Sequence, residues 1–470
     1  MSERPNTGDG ACFAATRALC NVCGRLTEAK ITFRDARVWL VKWCPDHGTT
    51  RALVSSDLEW YRRSLGYVKP GTLPLARAVG HHGVCPESCG LCPAHQQHTC
   101  VPLLEITSTC NLDCPVCLVG TTPPDHLAVS DVERIVGHLV RYEGTLNMLT
   151  LSGGEPTTHP ELLEILDVVC RPEIGIVSVS TNGVELARDD TLLRELVDRG
   201  VVIALQFDGL VPATYERLRG DGELAALKRR LIDRILALGG QVSLTVTLAK
   251  GVNEHELPGI LQLLFTHDEI PSVMVQPLAL TDRARQRHSA DYEDVLTIPD
   301  VVKLLAASSG GVLKAEDFSP LPCSHPTCFA LTYLLKTDTG LVSLPSLVDP
   351  DAYLDIIKNQ ALLNTDYDTL QKVKDALYGL WSSGGLVPNR DVVLRAVKQL
   401  LLDLNELGPS APHRDVLRVG AERVKSIFIH HFMDRGTFDL SRAMKCCNHY
   451  PQVDGRLLPA CVRNNIPLER

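Results

Sequence analysis

Between residues 102 and 285 the chain alternates two hydrophobic rhythms. Short apolar, β-branched runs recur as LLEIT (103–107), MLTLS (148–152), VSVST (177–181), VIALQF (202–207), VSLTVTL (242–248) and VMVQPL (273–278). Between them lie longer stretches with apolar positions every three or four residues, such as VSDVERIVGHLVRY, HPELLEILDVVC, TLLRELVDR, ELAALKRRLIDRILAL and EHELPGILQLLF. The first rhythm fits buried strands and the second fits helices with one apolar face. Six strand-helix units predict an α/β fold with a parallel sheet, curled into a partial or full TIM-like barrel whose site lies at the strands' C-terminal ends.

The flanks read differently. Residues 1–60 hold CNVCG, a strand pair (AKITF, ARVWLVKW) around RDA, and CPDHG; residues 61–101 are rich in Pro, Gly and His. Beyond 285 come PCSHPTC, a polar and mostly helical stretch from 350 to about 407, the strand-like SIFIHHFMD and a cysteine-bearing tail. The expected organisation is a metal knuckle (1–60), a linker (61–101), the barrel (102–285) and a C-terminal region (286–470). No repeat and no low-complexity tract interrupts it.

Composition excludes some classes and sharpens one. The chain has 470 residues, enough for about three domains, and a net charge of −9 from 47 basic and 56 acidic residues. It shows no basic stripe, so nucleic acid is not an expected partner. It also lacks a leader-like N-terminus and any apolar run long enough to span a membrane, so the expected location is cytoplasmic. The outlier is cysteine, with 17 residues. An odd count with spacings of two and three residues favours metal over disulfides, because such close ligands can wrap one ion or cluster.

Two stretches repeat the spacing C-x3-C-x2-C, at Cys85, Cys89, Cys92 and at Cys110, Cys114, Cys117. The second follows the first barrel strand directly. Three thiolates on a 4Fe-4S cube leave one iron open for a ligand. This loop resembles the hallmark of the radical S-adenosylmethionine (SAM) superfamily, and the resemblance extends to SGGEP at the end of the second strand. It implies that Gly153, Gly154, Glu155 and Pro156 form the turn that meets the SAM amino group. By the same comparison Ser180, Asn182, Gln206 and Asp208 meet ribose and methionine polar groups, and Asn253 lies near the adenine. The implied chemistry is reductive cleavage of SAM to a 5'-deoxyadenosyl radical that attacks an unactivated carbon, with a flavodoxin- or ferredoxin-like electron donor.

The first triplet follows a loop and suits an auxiliary cluster, with Cys100 either its fourth ligand or a small apolar residue. CNVCG and CPDHG resemble rubredoxin or zinc-ribbon knuckles, in which Cys20, Cys23, Cys44 and His47 would hold zinc. Cys12 could replace His47, and an all-cysteine set would suit iron as well. Cys323, Cys328, one of the adjacent pair Cys446 and Cys447, and Cys461 add up to a second auxiliary cluster, the other of the pair being spare and Cys170 core.

Several phrases outside the barrel, CPDHG, GVCPESCGLCPAHQQHTC, PLPCSHPTC, IHHFMD and CCNHYPQVDGRLLPACVRNN, narrow the resemblance. They are similar to archaeal tetraether lipid synthases and to radical SAM methyltransferases of a dihydro-hydroxymethylpterin. CPAH, where a more acidic residue is common, and the doubled Cys446-Cys447 are departures that bear on the ligand set. The resemblance implies C–C bond formation or methylation on a pterin-like small molecule or a lipid chain. A peptide-modifying radical enzyme and a non-catalytic electron-transfer or redox-sensing protein are the alternatives. His430, His431 and Asp434 could line a substrate cavity.

Overall fold

Two separate sheets organise the chain. The structure is a computed structural model and describes residues 12–78, 85–86, 89–118, 125–288, 291–347, 349–359, 390–408 and 413–466. The first sheet is an antiparallel meander of β1 (Cys12–Leu19), β2 (Leu26–Arg34), β3 (Arg37–Cys44) and β4 (Gly48–Ser55). The expected pair is its centre, β2 and β3. The outer strands lack a clean alternation, as in β1, whose first four residues are all exposed. Ala29, Ile31, Phe33, Val38 and Leu40 face inward against Tyr61 from the following helix, giving the unit its own small core.

All six barrel strands form: β5 (Val101–Thr107), β6 (Leu146–Gly153), β7 (Ile174–Thr181), β8 (Val202–Gln206), β9 (Val242–Leu248) and β10 (Ser272–Pro277). They pair in parallel and in chain order. Their two faces differ in kind. In β9, Val242, Leu244, Val246 and Leu248 are fully buried, while Ser243 and Thr245 point into a cavity inside the curl of the sheet. A strand's side chains alternate between faces, so one register serves both the helix-packed core and the cavity. The helix Leu224–Ala237 shows the complementary pattern, burying Leu231, Ile232 and Ile235. Each such side chain contributes about 1.5–3 kcal/mol on burial, which makes this layer the main source of stability.

The chain beyond 286 extends the same sheet at both edges. It adds β11 (Ser319–Pro320), β12 (Phe329–Thr337), β13 (Gly340–Ser343), β14 (Val424–His430), β15 (Asn448–Pro451) and β16 (Leu457–Pro459). β14 lies parallel beside β10, with β12 antiparallel beside β14. At the far edge β15 runs parallel to β5, and β16 antiparallel to β15. The ladder therefore runs from β11 and β12 through the barrel to β15 and β16. Helices Pro350–Ile357 and Arg390–Leu407 fall in the stretch expected to be helical, and its middle lies outside the described residues. Among the described residues no helix is long and apolar enough to cross a membrane.

Candidate active site

The loop carrying Cys110, Cys114 and Cys117 rests on the end of β6. Gly154 N–H donates to Thr107 O and Glu155 N–H to Thr109 O, each at 2.7 Å. This approach explains both glycines. A Cβ on Gly153 would lie 2.1 Å from Thr107 O, and one on Gly154 2.3 Å from Thr109 O, while Gly153 also has φ +132°. The cysteine loop's own backbone occupies that space. Gly153→Ala is expected to cost at least ~2 kcal/mol through overpacking and backbone strain and to loosen the cluster loop. Anaerobic thermal melts and iron retention would show it.

Glu155 turns away from the loop into the protein. Its carboxylate accepts from Thr157 N (3.1 Å), Thr157 Oγ1 (2.6 Å), Thr181 Oγ1 (2.7 Å) and Asn182 N (2.7 Å), tying the end of β6 to the end of β7. Burial raises its pKa while these four donors oppose the rise. Pro156 begins the short 3-10 turn Pro156–Thr158 that follows.

The other strand-end residues divide. Asn182 reaches the loop, its amide 4.0 Å from Cys110 Sγ and 2.7 Å from Asn111 Oδ1. Ser180, one pleat earlier on β7, lines the barrel cavity. Asp208 is fully buried and accepts from Arg219 Nε at 2.7 Å and Nη2 at 3.0 Å, and from Thr247 N at 2.9 Å. Gln206 bridges Asp208 and Lys228. Asn253 spans the loop after β9, accepting from Ala249 N and donating to Asp208 O and Thr247 O at 2.9 to 3.0 Å. The hydrogen bonds of Asp208 and Asn253 thus go to protein groups that shape the rim.

Two cations of this rim escaped the sequence reading. Arg219 reaches from Asp208 to Cys114, and Lys228, fully buried, donates to Gln206 O at 2.8 Å. Burial pushes the Lys228 amine down to about 7. The signal was present: Lys228 interrupts the apolar stripe of its helix between Leu224 and Leu231. A guanidinium beside a thiolate loop lowers the cost of gathering negative sulfurs there. Three partly accessible thiols from one loop, with a cation beside them, fit a 4Fe-4S cluster with an open iron. Cluster and SAM together supply the electron and the radical; the chain's residues position the reactants and keep water out.

The N-terminal knuckle closes geometrically. The ligand atoms of Cys20, Cys23, Cys44 and His47 all lie within 4.8 Å of one another, with His47 Nδ1 3.5 Å from Cys44 Sγ and 3.8 Å from Cys20 Sγ. A zinc tetrahedron with bonds of about 2.3 Å has edges of about 3.8 Å, so the set suits one ion. Cys12 stands outside it, exposed at the start of β1. Lys42 donates to Asn21 Oδ1 and Gly436 O, docking the knuckle on the tail. Cys23→Ser is expected to remove one zinc per chain and leave the iron content unchanged, as elemental analysis would report.

The remaining thiols regroup. Cys85, Cys89 and Cys92 stay together, Cys85 and Cys92 both acting on the Cys89 thiol. Cys100, expected either as the triplet's fourth ligand or as a small apolar residue, lies buried in an apolar cluster that also holds Cys323 and Cys447. Its N–H bonds to Cys447 O at 2.9 Å, which sets the two residues side by side. Cys328, Cys446, Cys447 and Cys461 influence one another electrostatically, with Arg442 Nε 2.9 Å from Cys328 Sγ. Cys170 packs against the main core, as expected.

Inside the barrel lies a cavity of about 230 Å³. Hydroxyls from alternate strand positions line one wall, including Thr150 paired with Ser178 at 2.8 Å and Ser243 with Ser272 at 2.6 Å. Aromatic rings line the opposite side. His430 lies between Phe329, stacked at 3.9 Å and 11°, and Phe432 at 4.0 Å. Burial holds its imidazole neutral by driving its pKa well below 6.5. The Tyr333 hydroxyl, on the same side, has no partner among the described residues. His431 and Asp434 act elsewhere: His431 O accepts from Arg442, and Asp434 caps the turn at Thr437 and holds Leu280 N at 2.8 Å. The interior hydroxyls were legible in VSVST and VSLTVTL, where polar residues alternate with apolar ones.

Comparison with known proteins gives this arrangement its class. Residues 104–264 match the radical SAM superfamily and residues 12–56 the HMPTM N-terminal zinc ribbon domain, so the chain carries a radical SAM domain with a zinc ribbon ahead of it. Among individual proteins it is similar to the 7,8-dihydro-6-hydroxymethylpterin dimethyltransferase of Methanocaldococcus jannaschii, at 27% identity over 96% of this chain and 93% of that one. The GTP 3',8-cyclase of Chlorobaculum tepidum is 29% identical over 35% of this chain and 50% of its own. The structure of SuiB from Streptococcus suis bound to SAM aligns over 44% of this chain and 46% of that chain, at 14% identity and a TM-score of 0.37.

Proposed function

We propose that this enzyme forms a new bond at an sp3 carbon, methylating or otherwise alkylating a pterin-like heterocycle held in the barrel cavity. The observation that carries the reading is the similarity to the pterin dimethyltransferase, which runs through zinc ribbon, barrel and tail. The cavity chemistry supports it. A fused polar ring presents several donors and acceptors, and the hydroxyl wall with the unpartnered Tyr333 hydroxyl offers matching groups, while the aromatic side takes the ring's faces. A long alkyl chain would leave the Tyr333 hydroxyl buried without a partner, at about 1–3 kcal/mol.

The site residues take these roles under the proposal. Cys110, Cys114 and Cys117 hold the cluster that binds SAM, and the backbone of Gly153 to Pro156 with Asn182 borders the ligand. Ser180 stands between that rim and the substrate. The barrel interior shields the radical from water and holds the target carbon within about 3–3.5 Å of the radical carbon. A flavodoxin- or ferredoxin-like protein supplies the electron.

The test is anaerobic turnover of reconstituted enzyme with SAM, dithionite and 7,8-dihydro-6-hydroxymethylpterin, followed by mass spectrometry. A methylated or coupled pterin formed together with 5'-deoxyadenosine is the expected result. Deoxyadenosine without any change in the pterin, and a coupled product from a lipid alkyl chain instead, would refute the substrate while leaving the radical class intact.

A further inference from the structure

The registers of β9, β10, β14 and β12 line up their cavity-facing residues in rows, because inward positions recur every second residue. One row consists of hydroxyls. Ser272 on β10 pairs with Ser426 on β14, and Ser426 with Tyr333 on β12. Ser243 on β9 joins them through its 2.6 Å hydrogen bond to Ser272, and all four residues line the barrel cavity. The next row toward the rim pairs Met274 with Thr245 and Phe428, and Phe428 with Leu331, so it is apolar except at Thr245. Beyond it, at the C-terminal end of β14, stands His430, stacked on Phe329.

Two features mark the hydroxyl row as a place for a ligand's polar end. Tyr333 is 2% exposed and its hydroxyl has no partner among the described residues, a cost that a ligand's polar group would remove. Among the described residues that line the cavity there is no Asp, Glu, Lys or Arg, and burial keeps His430 neutral. A phosphate or carboxylate would therefore enter without a counter-charge. The row suits an uncharged group that presents donors and acceptors side by side, since each hydroxyl can both donate and accept. Rows two residues apart are separated by about 6.6 Å along a strand, close to the length of a fused two-ring heterocycle.

On the reading that the substrate is a pterin, we propose that this row fixes which way the ring points. Ser243, Ser272, Ser426 and Tyr333 hold the 2-amino-4-oxo edge of the pyrimidine ring, Met274 and Phe428 take the body of the bicycle, and the 6-substituted end faces the rim. The chemistry requires that direction. The sp3 carbons of a 7,8-dihydro-6-hydroxymethylpterin, C7 and the hydroxymethyl carbon, both lie at the end away from the pyrimidine edge, and the radical is generated at the rim beside the cysteine loop. From Ser426 to His430 the strand rises about 13 Å over four residues, which leaves room for the ring between the row and the rim. The four hydroxyls bind and orient the substrate and take no part in breaking its bonds.

Equilibrium dialysis of 7,8-dihydro-6-hydroxymethylpterin against the full-length, anaerobically reconstituted enzyme, with SAM and without reductant, reads binding apart from turnover. Tyr333→Phe keeps the ring and removes an unpartnered hydroxyl, so it is expected to melt no lower than the unaltered enzyme yet to bind the pterin about tenfold more weakly. Ser426→Ala should weaken binding in the same direction. The unaltered enzyme should prefer the pterin to the matching lumazine, in which an oxo group replaces the 2-amino group, and the Tyr333→Phe/Ser426→Ala pair should narrow that preference. The preference between 6-hydroxymethyl and 6-methyl pterins, which differ at the rim end, should be the same in all these proteins. Pterin binding unchanged in both single variants, or a changed preference at the 6-position with the amino preference intact, would overturn the orientation alone. A Tyr333→Phe protein that melts markedly lower would show that its hydroxyl is bonded within the protein, and would overturn its part in the row. An unaltered enzyme that binds no pterin would overturn the substrate reading and the orientation with it.

Discussion

Cys114→Ala is expected to reduce SAM cleavage to the level of a reaction without enzyme. The three loop thiols are the only protein ligands that the loop offers its cluster, and Cys114 is the one that Arg219 contacts. With two thiolates left, the loop no longer holds a cube that exposes one iron in a fixed place. Positioning of this sort accounts for many orders of magnitude of rate, so partial activity is not expected. Deoxyadenosine measured by chromatography is the readout. The zinc of the knuckle and the iron of the other thiol groups should stay, since no residue of those sites lies in this loop. Cleavage surviving in Cys114→Ala would sink the assignment of this triplet and turn attention to Cys85, Cys89 and Cys92.

The second large effect is expected from Asp208→Ala. Asp208 is fully buried and forms a two-point ion pair with Arg219, whose side chain is 9% exposed. Removing one partner of such a pair strands the other charge in a poor solvent, at a cost of about 3–5 kcal/mol. It also frees Thr247 N and Gln206 Nε2, which bond the same carboxylate. Anaerobic denaturant melts of the holoprotein should show the barrel's transition shifted by that amount. Asp208→Leu combined with Arg219→Met should lose much less, because no isolated charge remains. A single variant as stable as the unaltered enzyme would show that water reaches Arg219 and that the pair is not truly buried. Because Arg219 also touches Cys114, the single variant should hold its loop cluster less firmly even where it remains folded.

The six barrel strands were legible because a strand packed against helices needs β-branched and apolar residues on its buried face, and such runs are local in sequence. The outer strands of the knuckle sheet were not, since Cys12–Leu19 exposes its first four residues and carries no alternation. The cofactor loop was legible for a related reason: Cys110, Cys114 and Cys117 fall within eight residues of one another. Glu155, Asp208 and Asn253 show the limit of that method. Their places at strand ends could be read, but whether a carboxylate or amide faces a ligand or a neighbouring backbone depends on which N–H groups the fold brings near.

By itself the sequence determined the barrel's six parallel strands, the thiol loop after the first of them and a metal knuckle ahead of it. Each of these rests on residues close along the chain, where spacing alone constrains geometry. Only the tertiary structure decided which distant cysteines are neighbours. Cys323 and Cys328 sit five positions apart and look like one ligand pair, yet they stand on either side of the chain's turn into β12, Cys323 beside Asn359 N and Cys328 beside Arg442 Nε. Cys100 and Cys447 lie far apart in sequence and share a backbone hydrogen bond. A strand's alternation sends nearby side chains to opposite faces, and the curl of a long sheet brings its remote edges together.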